Sequence, residues 1–340
     1  MGASNEFLLF SLIKIVAVVA IVMPMIAYSV VAERRISAFI QDRLGPNRVG
    51  PLGLLQPLAD GLKFILKEDF TPAHVRKVYF WLAPAITMVP AFLTLAVIPF
   101  GSYLGQQKMV IADLNVGILY SFGIVSLGVY GIVLAGYASN SKYPFLGGIR
   151  SSAQMISYEI AMGMSVIPVF LIAGSLNLSE IIRYQAEHGW FVLYAPLSFI
   201  IFLVSAFAET NRLPFDLPES ETELVAGYHT EYSSMKFALF FLGEYANMIA
   251  ASAMMVTLFF GGWTLPGVSA PAGSVGAGIF HIMVFVGKML CFMVLFIWVR
   301  WMLPRFRYDQ LMDLGWRRFI PVALLNIFIY ALALWARAKA

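Results

Sequence analysis

The sequence predicts an all-α polytopic membrane protein: eight transmembrane helices plus an amphipathic interfacial helix, in a single membrane domain spanning residues 1–340. Three observations predict it. Of 340 residues, 60% are hydrophobic, where a soluble domain has about 45–50%. Charged residues make up 12%, about half the soluble average. Third, apolar runs long enough to cross a hydrocarbon core of about 30 Å recur at residues 8–31, 78–99, 116–138, 156–174, 190–208, 237–260, 279–299 and 319–336.

The first run is too long for the short apolar region of a cleavable leader and lacks its small-residue cleavage site, so it reads as a retained spanning helix. It leads into a long connection, residues 33–77. Within that connection Leu54, Leu55, Leu58, Leu62, Ile65 and Leu66 share one face at helical spacing, opposite Gln56, Asp60, Lys63 and Lys67. The segment is too short and too charged to cross a membrane. It reads as a helix lying in the interface or packed beneath the bundle.

Lysine and arginine then set the orientation. The connections after the first, third, fifth and seventh runs hold eight, two, two and five of them, and those after the second, fourth and sixth hold one, one and none. The expected topology places the odd connections in the cytoplasm and both termini in the periplasm of an inner membrane. The net charge of +4 is therefore a topological signal, and no nucleic-acid partner is expected.

The most unusual stretch is the expected cytoplasmic loop 209–236, in which Glu209, Asp216, Glu219, Glu221, Glu223 and Glu231 face Arg212 alone before Lys236. Pro214 and Pro218 break any continuation of the fifth helix. Asp216 can cap a new helix with Glu219 in capping-box spacing. The loop is either a solvated acidic surface or, given Leu213, Phe215, Leu217, Leu224 and Val225 among the acids, a partly buried carboxylate cluster able to pass protons. Glu159 and Glu244 fall inside spanning segments, where a charge is costly. A glutamate is too short to snorkel well, so both read as interior protonatable groups. Lys14 and Lys288 also fall inside, and snorkelling suits Lys14.

Several chemistries are excluded. Cys291 is the sole cysteine, so no disulfide framework or cysteine-ligated cluster is expected. His74, His188, His229 and His281 share no helix at ligand spacing, so neither a haem nor a metal centre is expected. No GxGxxG, CxxC or phosphate-binding loop occurs. The mixed aromatic, aliphatic and polar runs RRISAFIQ and LLQPLADGLKF could line a cavity for an amphiphilic ligand.

Taken in order, AERR (32–35), GPNRVGP (45–51), LLQPLADGLKFILKED (54–69), SNSKYPFLGGIRSSAQMISYE (139–159), the stretch 209–245, LFFGGW (258–263) and PRFRYDQLMDLGW (304–316) resemble the quinone-contacting membrane subunit of respiratory complex I, the family of the bacterial H subunit and mitochondrial subunit 1. The resemblance covers essentially the whole chain. It implies a subunit of a proton-pumping NADH:quinone oxidoreductase, a translocase of the respiratory chain, with no redox centre of its own. Glu33, Arg34, Phe39, Gln56 and Asp60 would line a quinone chamber. Glu159, Glu209, Asp216, Glu219, Glu221, Glu223 and Glu231, with Glu244, would form a proton path. The quinone, ubiquinone or another, is substrate. Iron–sulfur clusters, FMN and NADH belong to partner subunits. The implied partners are soluble quinone-reducing and iron–sulfur subunits, antiporter-like and small membrane subunits, and membrane lipid. One departure stands out, because Gly128 occupies a place where some relatives carry glutamate. The rival readings are the equivalent subunit of a hydrogenase or other donor complex, a stand-alone proton-coupled transporter, and a passive membrane anchor.

Overall fold

The computed structural model describes residues 2–105, 107–217, 224–267 and 274–339, with side chains from residue 9 onward. Glu219, Glu221, Glu223 and the expected cap pairing with Glu219 lie outside the described residues.

Among the described residues, seven helices are long and apolar enough to cross a membrane. They are α1 (Gly2–Ile40), α3 (Lys77–Thr94), α4 (Gly117–Ala138), α5 (Lys142–Ala173), α9 (Ser234–Phe259), α10 (Val275–Met302) and α11 (Tyr308–Lys339). Between them lie α2 (Gln56–Leu66), α6 (Leu178–His188), α7 (Phe191–Tyr194) and α8 (Pro196–Glu209). One departure from the all-helical expectation is a two-residue antiparallel hairpin, β1 (Tyr103–Leu104) and β2 (Gln107–Lys108).

Several boundaries differ from those expected. The fifth run is not one helix: it breaks at Ala195, whose ψ of 58° is not helical, and restarts at Pro196 as α8. At 14 residues, α8 is only about 21 Å long, short of the ~30 Å core. Its last residue, Glu209, therefore ends within the protein rather than at its surface and is 6% exposed. By contrast α1 continues through AERR, so Glu33 and Arg34 project from a helix instead of a loop. The helix α5 begins 14 residues earlier than expected and absorbs Lys142 and Arg150. Pro144 falls in its first turn, where proline is tolerated because the missing N–H has no partner there.

Small residues let the spanning helices approach closely, as packing in lipid requires. A Cβ on Gly131 of α4 would lie 2.2 Å from the Thr87 hydroxyl oxygen of α3. A Cβ on Gly147 of α5 would lie 2.8 Å from the Tyr228 nitrogen, so this glycine seats the end of the acidic loop against α5. The main core joins α4, α5, α8, α9 and α10 through residues such as Ile118, Val166, Phe202, Ile249 and Phe296. Around it the bundle leaves Leu12, Val16, Trp81, Ile200, Met283 and Phe328 exposed, the outward apolar surface expected of a protein solvated by lipid.

Candidate functional site: a buried ion cluster and two uncompensated carboxylates

The ends of α1, α8, α9 and α10 converge where the basic connections lie. Arg212, three residues past α8, is 2% exposed. Its Nη1 donates to Glu33 Oε2 of α1 at 2.9 Å, and its Nε stands 2.7 Å from Glu244 Oε1 of α9. The Glu244 contact is an ion pair whose angles fall outside hydrogen-bond geometry. The guanidinium also lies over the Tyr245 ring, 4.3 Å from its centroid. The Tyr245 hydroxyl donates to Glu33 Oε2 at 2.7 Å. Arg300, near the end of α10, donates to the other Glu33 oxygen. Arg305 donates to Asp216 at 2.8 Å. Burial opposes the Arg212 charge. Glu244, Tyr245 and Glu33 outweigh it and hold the guanidinium above its ordinary value. For Asp216 burial is the larger influence and raises the carboxyl, with Arg305 pulling the other way.

The signs balance in this cluster: Glu33, Glu244 and Asp216 face Arg212, Arg300 and Arg305. Such balance is what makes buried charge tolerable. Glu209 and Glu159 stand outside it. Neither Glu209 oxygen has a hydrogen-bond partner among the described residues. Glu159 accepts from the Ser126 hydroxyl and faces no described cation. For Glu209, almost fully buried, an unpartnered charge is costly, and a carboxyl group can shed that cost by taking up a proton.

The expected site residues divide accordingly. Glu33 is expected among the quinone-lining residues, and the structure brings it into the ion cluster with Asp216 and Glu244. Arg34 pairs with Asp60 at 2.8 Å, and Gln56 donates to the same carboxylate at 2.9 Å. Together they tie α2 to α1. Phe39 is 86% exposed. Glu231 stands apart, 3.9 Å from His74 and partly exposed. Lys14 donates to the Val110 carbonyl at 3.3 Å. Lys288 does not snorkel: its ammonium donates to the carbonyls of Phe260, Gly262 and Thr264 at 2.7, 2.9 and 2.5 Å.

Sequence reasoning missed Arg300, Arg305 and Tyr245. The two arginines look like topology anchors in the sequence, and only the fold brings them to carboxylates on other helices. Gln154 was also missed. Its amide donates to the Ala208 and Phe215 carbonyls at 2.8 and 2.7 Å and holds the start of the acidic loop to α5. The signal was present: a buried glutamine within an apolar spanning helix must find partners.

A cavity of about 690 Å³ lies at the opposite end of the bundle, lined by Ser102, Arg183, Trp190, Trp263 and His281 among others. It is remote from the ion cluster, so cavity size alone does not locate the chemistry.

The fold and the cluster together define a multi-pass helical membrane protein with an ionisable core. Its particular family follows from comparison with known proteins. The NADH dehydrogenase family matches residues 13–331. The chain is 51% identical over 329 residues to the H 1 subunit of NADH-quinone oxidoreductase from Cytophaga hutchinsonii, covering 95% of this chain and 96% of that one. It is 52% identical over 322 residues to the corresponding H 1 subunit from Geobacter metallireducens, covering 94% of each. To NADH-quinone oxidoreductase subunit 8 of Rhodothermus marinus it is 52% identical over 314 residues, 89% of this chain and 91% of that one. The chain belongs to the family of NADH-quinone oxidoreductase H subunits, membrane subunits of complex I. It is thus part of a multi-subunit NADH-quinone oxidoreductase, not a stand-alone carrier.

Proposed function

We propose that the chain forms one wall of a quinone chamber and converts quinone reduction into proton movement through its buried carboxylates. The carrying observation is the contrast between Glu209, buried without a partner among the described residues, and the adjoining balanced cluster in which Arg212, Arg300 and Arg305 face Glu33, Glu244 and Asp216. Reduction of a quinone takes up two electrons and two protons. A charge change at the chamber reaches the cluster through the Arg34–Asp60 pair beside it on α1 and α2. A charge change there unbalances the cluster, and Glu209, buried without a partner among the described residues, is the neighbour placed to answer by taking up or releasing a proton, with Glu159 next along the route. Glu219, Glu221, Glu223 and Glu231 complete the acidic route on this reading.

The chamber's lower wall comprises Glu33, Arg34, Phe39, Gln56 and Asp60. The apolar face of α2 supports that placement. Its Leu58, Leu62, Ile65 and Leu66 are all more than half exposed, while Gln56 and Asp60 turn inward. An outward apolar face beside Phe39 suits an isoprenoid tail or lipid. Partner subunits supply NADH, FMN and iron–sulfur chemistry. Soluble subunits close the chamber, and antiporter-like and small membrane subunits continue the proton route. Orientation follows the basic residues: the ion-cluster end faces the cytoplasm, both termini lie in the periplasm, and α8 counts as an eighth, short crossing. The whole chain is one membrane domain, with the 33–77 and 209–236 segments as its cytoplasmic face.

Glu209→Gln tests the reading, because it keeps shape and removes titration. The expected result in assembled membranes is unchanged NADH oxidation by an artificial acceptor, which needs only the soluble arm. Quinone-linked turnover and pumping, followed with a pH-sensitive dye, both fall. Wild-type quinone turnover and pumping would reject Glu209 as a proton carrier.

A further inference from the structure

Glu209 lies between two small voids. One, of about 40 Å³, is lined by Thr94, Ser121, Glu209, Thr210 and Asn247 among apolar neighbours. The other, of about 20 Å³, is lined by Thr87, Gly128, Glu209, Thr210, Glu244 and Asn247, again among others. A water needs roughly 10–15 Å³ of such space and two or more polar partners, so both voids are large enough to be wet.

Four of the lining hydroxyls are already committed, and the amide of Asn211 and the hydroxyl of Tyr228 line only the smaller void. Thr94 spends its hydroxyl proton on the Pro90 carbonyl at 2.9 Å, Ser121 on Gly117 at 3.1 Å, Thr210 on Ala206 at 2.9 Å and Thr87 on Ala83 at 3.1 Å. Each of these four hydroxyls therefore offers the voids lone pairs only, as does an ionised Glu209. Three residues line both voids: Glu209, Thr210 and Asn247. Of these, Asn247 alone brings side-chain donors free for use, and no hydrogen bond joins its carboxamide to a described residue. It lies on α9 one turn from Glu244, so the two share a helix face.

We propose that Asn247 is a positioning residue for proton movement at Glu209: its amide donates to water in both voids and keeps Glu209 connected to Glu244 on one side and to the Ser121–Thr94 recess on the other. Gly128 contributes space for that water, since a Cβ built there meets nothing within 4 Å. Such a link accounts for how Glu209 communicates with Glu244 across the space that Gly128 leaves open. The assignment rests on the reading of Glu209 as a proton carrier.

The test compares Asn247→Leu, similar in size but without polar atoms, with Asn247→Ser, which restores a hydroxyl and leaves room for a further water. Glu209→Gln is the reference, all in assembled complex. In the leucine variant quinone-linked turnover drops roughly tenfold, the effect of one hydrogen bond to a charged group. The half-saturating quinone concentration stays put, the pH profile shifts and the solvent deuterium isotope effect grows. The serine variant regains most of the rate. Equal slowing in both variants, or a leucine variant with wild-type rate and pH profile, overturns the assignment. Should the leucine variant not assemble, redox-induced infrared difference spectra of Asn247→Ser decide. The carboxyl band that disappears in Glu209→Gln must shift in frequency, and an unshifted band rejects the proposal. A slow Glu209→Gln beside a wild-type Asn247→Leu discards only the role of Asn247. A wild-type Glu209→Gln discards the proton-carrier reading as well.

Discussion

Arg212 and Glu33 stand 179 positions apart in the chain, yet the guanidinium of one lies 2.9 Å from the carboxylate of the other, and both are almost completely buried. Their pairing fastens the end of α8 to the last turns of α1. Because Glu244 and Tyr245 share the same guanidinium, the contact joins three helices through one side chain.

Breaking that pair should be severe. Arg212→Met leaves Glu33 and Glu244 buried without their common partner, a change that costs about 3–5 kcal/mol for a buried ion pair. The expected outcome is little assembled complex on native gels. The double variant Arg212→Met/Glu244→Gln removes one stranded charge and recovers part of the assembly. Arg212→Lys does not substitute fully, because a single ammonium cannot engage two carboxylates and lie flat on Tyr245. Full assembly in Arg212→Met would show that the cluster is dispensable.

Two glycines three residues apart on α4 should respond oppositely. Gly128→Ala enters open space and leaves assembly unchanged, while its methyl group takes up part of the void of about 20 Å³ beside Glu209 and slows turnover mildly. Gly131→Ala meets the Thr87 hydroxyl and the Ala83 carbonyl, the latter at 3.0 Å. It forces α3 and α4 apart and lowers the amount of complex. Gly128→Leu fills the void beside Glu209 and slows quinone-linked turnover without loss of assembly. The amount of complex and both NADH-linked rates, measured on the same membranes, separate these outcomes.

The exposed apolar face of α2 gives a third expectation. Leu58→Gln or Leu62→Gln should slow quinone-linked turnover several-fold in complex that still assembles, because each leucine is already exposed in this chain and no core contact is lost. Lys67→Gln, at the extended end of α2, should leave the rate unchanged. Equal effects at all three positions would count against an apolar surface used by the quinone tail.

Acid sensitivity should trace to His229. Burial among Tyr228, Phe237 and Phe241 pushes its imidazole down from 6.5 to about 4. The unfolded chain then binds a proton that the folded chain refuses. Stability is therefore complete above pH 6.5 and declines as pH falls toward about 4, by at most ~1.4 kcal/mol for each unit. Replacing His229 with Gln should flatten the pH dependence of the melting temperature between pH 7.5 and 5. An identical slope in the variant would assign the sensitivity elsewhere.

The class of fold was legible in the order of residues. Apolar run length and scarce charge require spanning helices, since backbone polar groups in lipid must be satisfied within the segment. The same reasoning singled out Glu159 and Glu244 as costly groups, the apolar residues of the acidic loop allowed Glu209 a partly buried place, and the leucine spacing of residues 54–66 marked the amphipathic helix. Which charges are neutralised emerged only with the packed bundle. Arg300 and Arg305 look in the sequence like any basic residues at a membrane boundary. The bundle places them against Glu33 and Asp216 and leaves Glu209 without a hydrogen-bond partner among the described residues. Charge compensation acts through space over a few ångströms in a low-dielectric interior, and helix packing sets those distances between residues far apart in the chain. For the same reason the break before Pro196 escaped the hydropathy pattern. The residues on either side are equally apolar, and what ends the helix there is a backbone angle at Ala195.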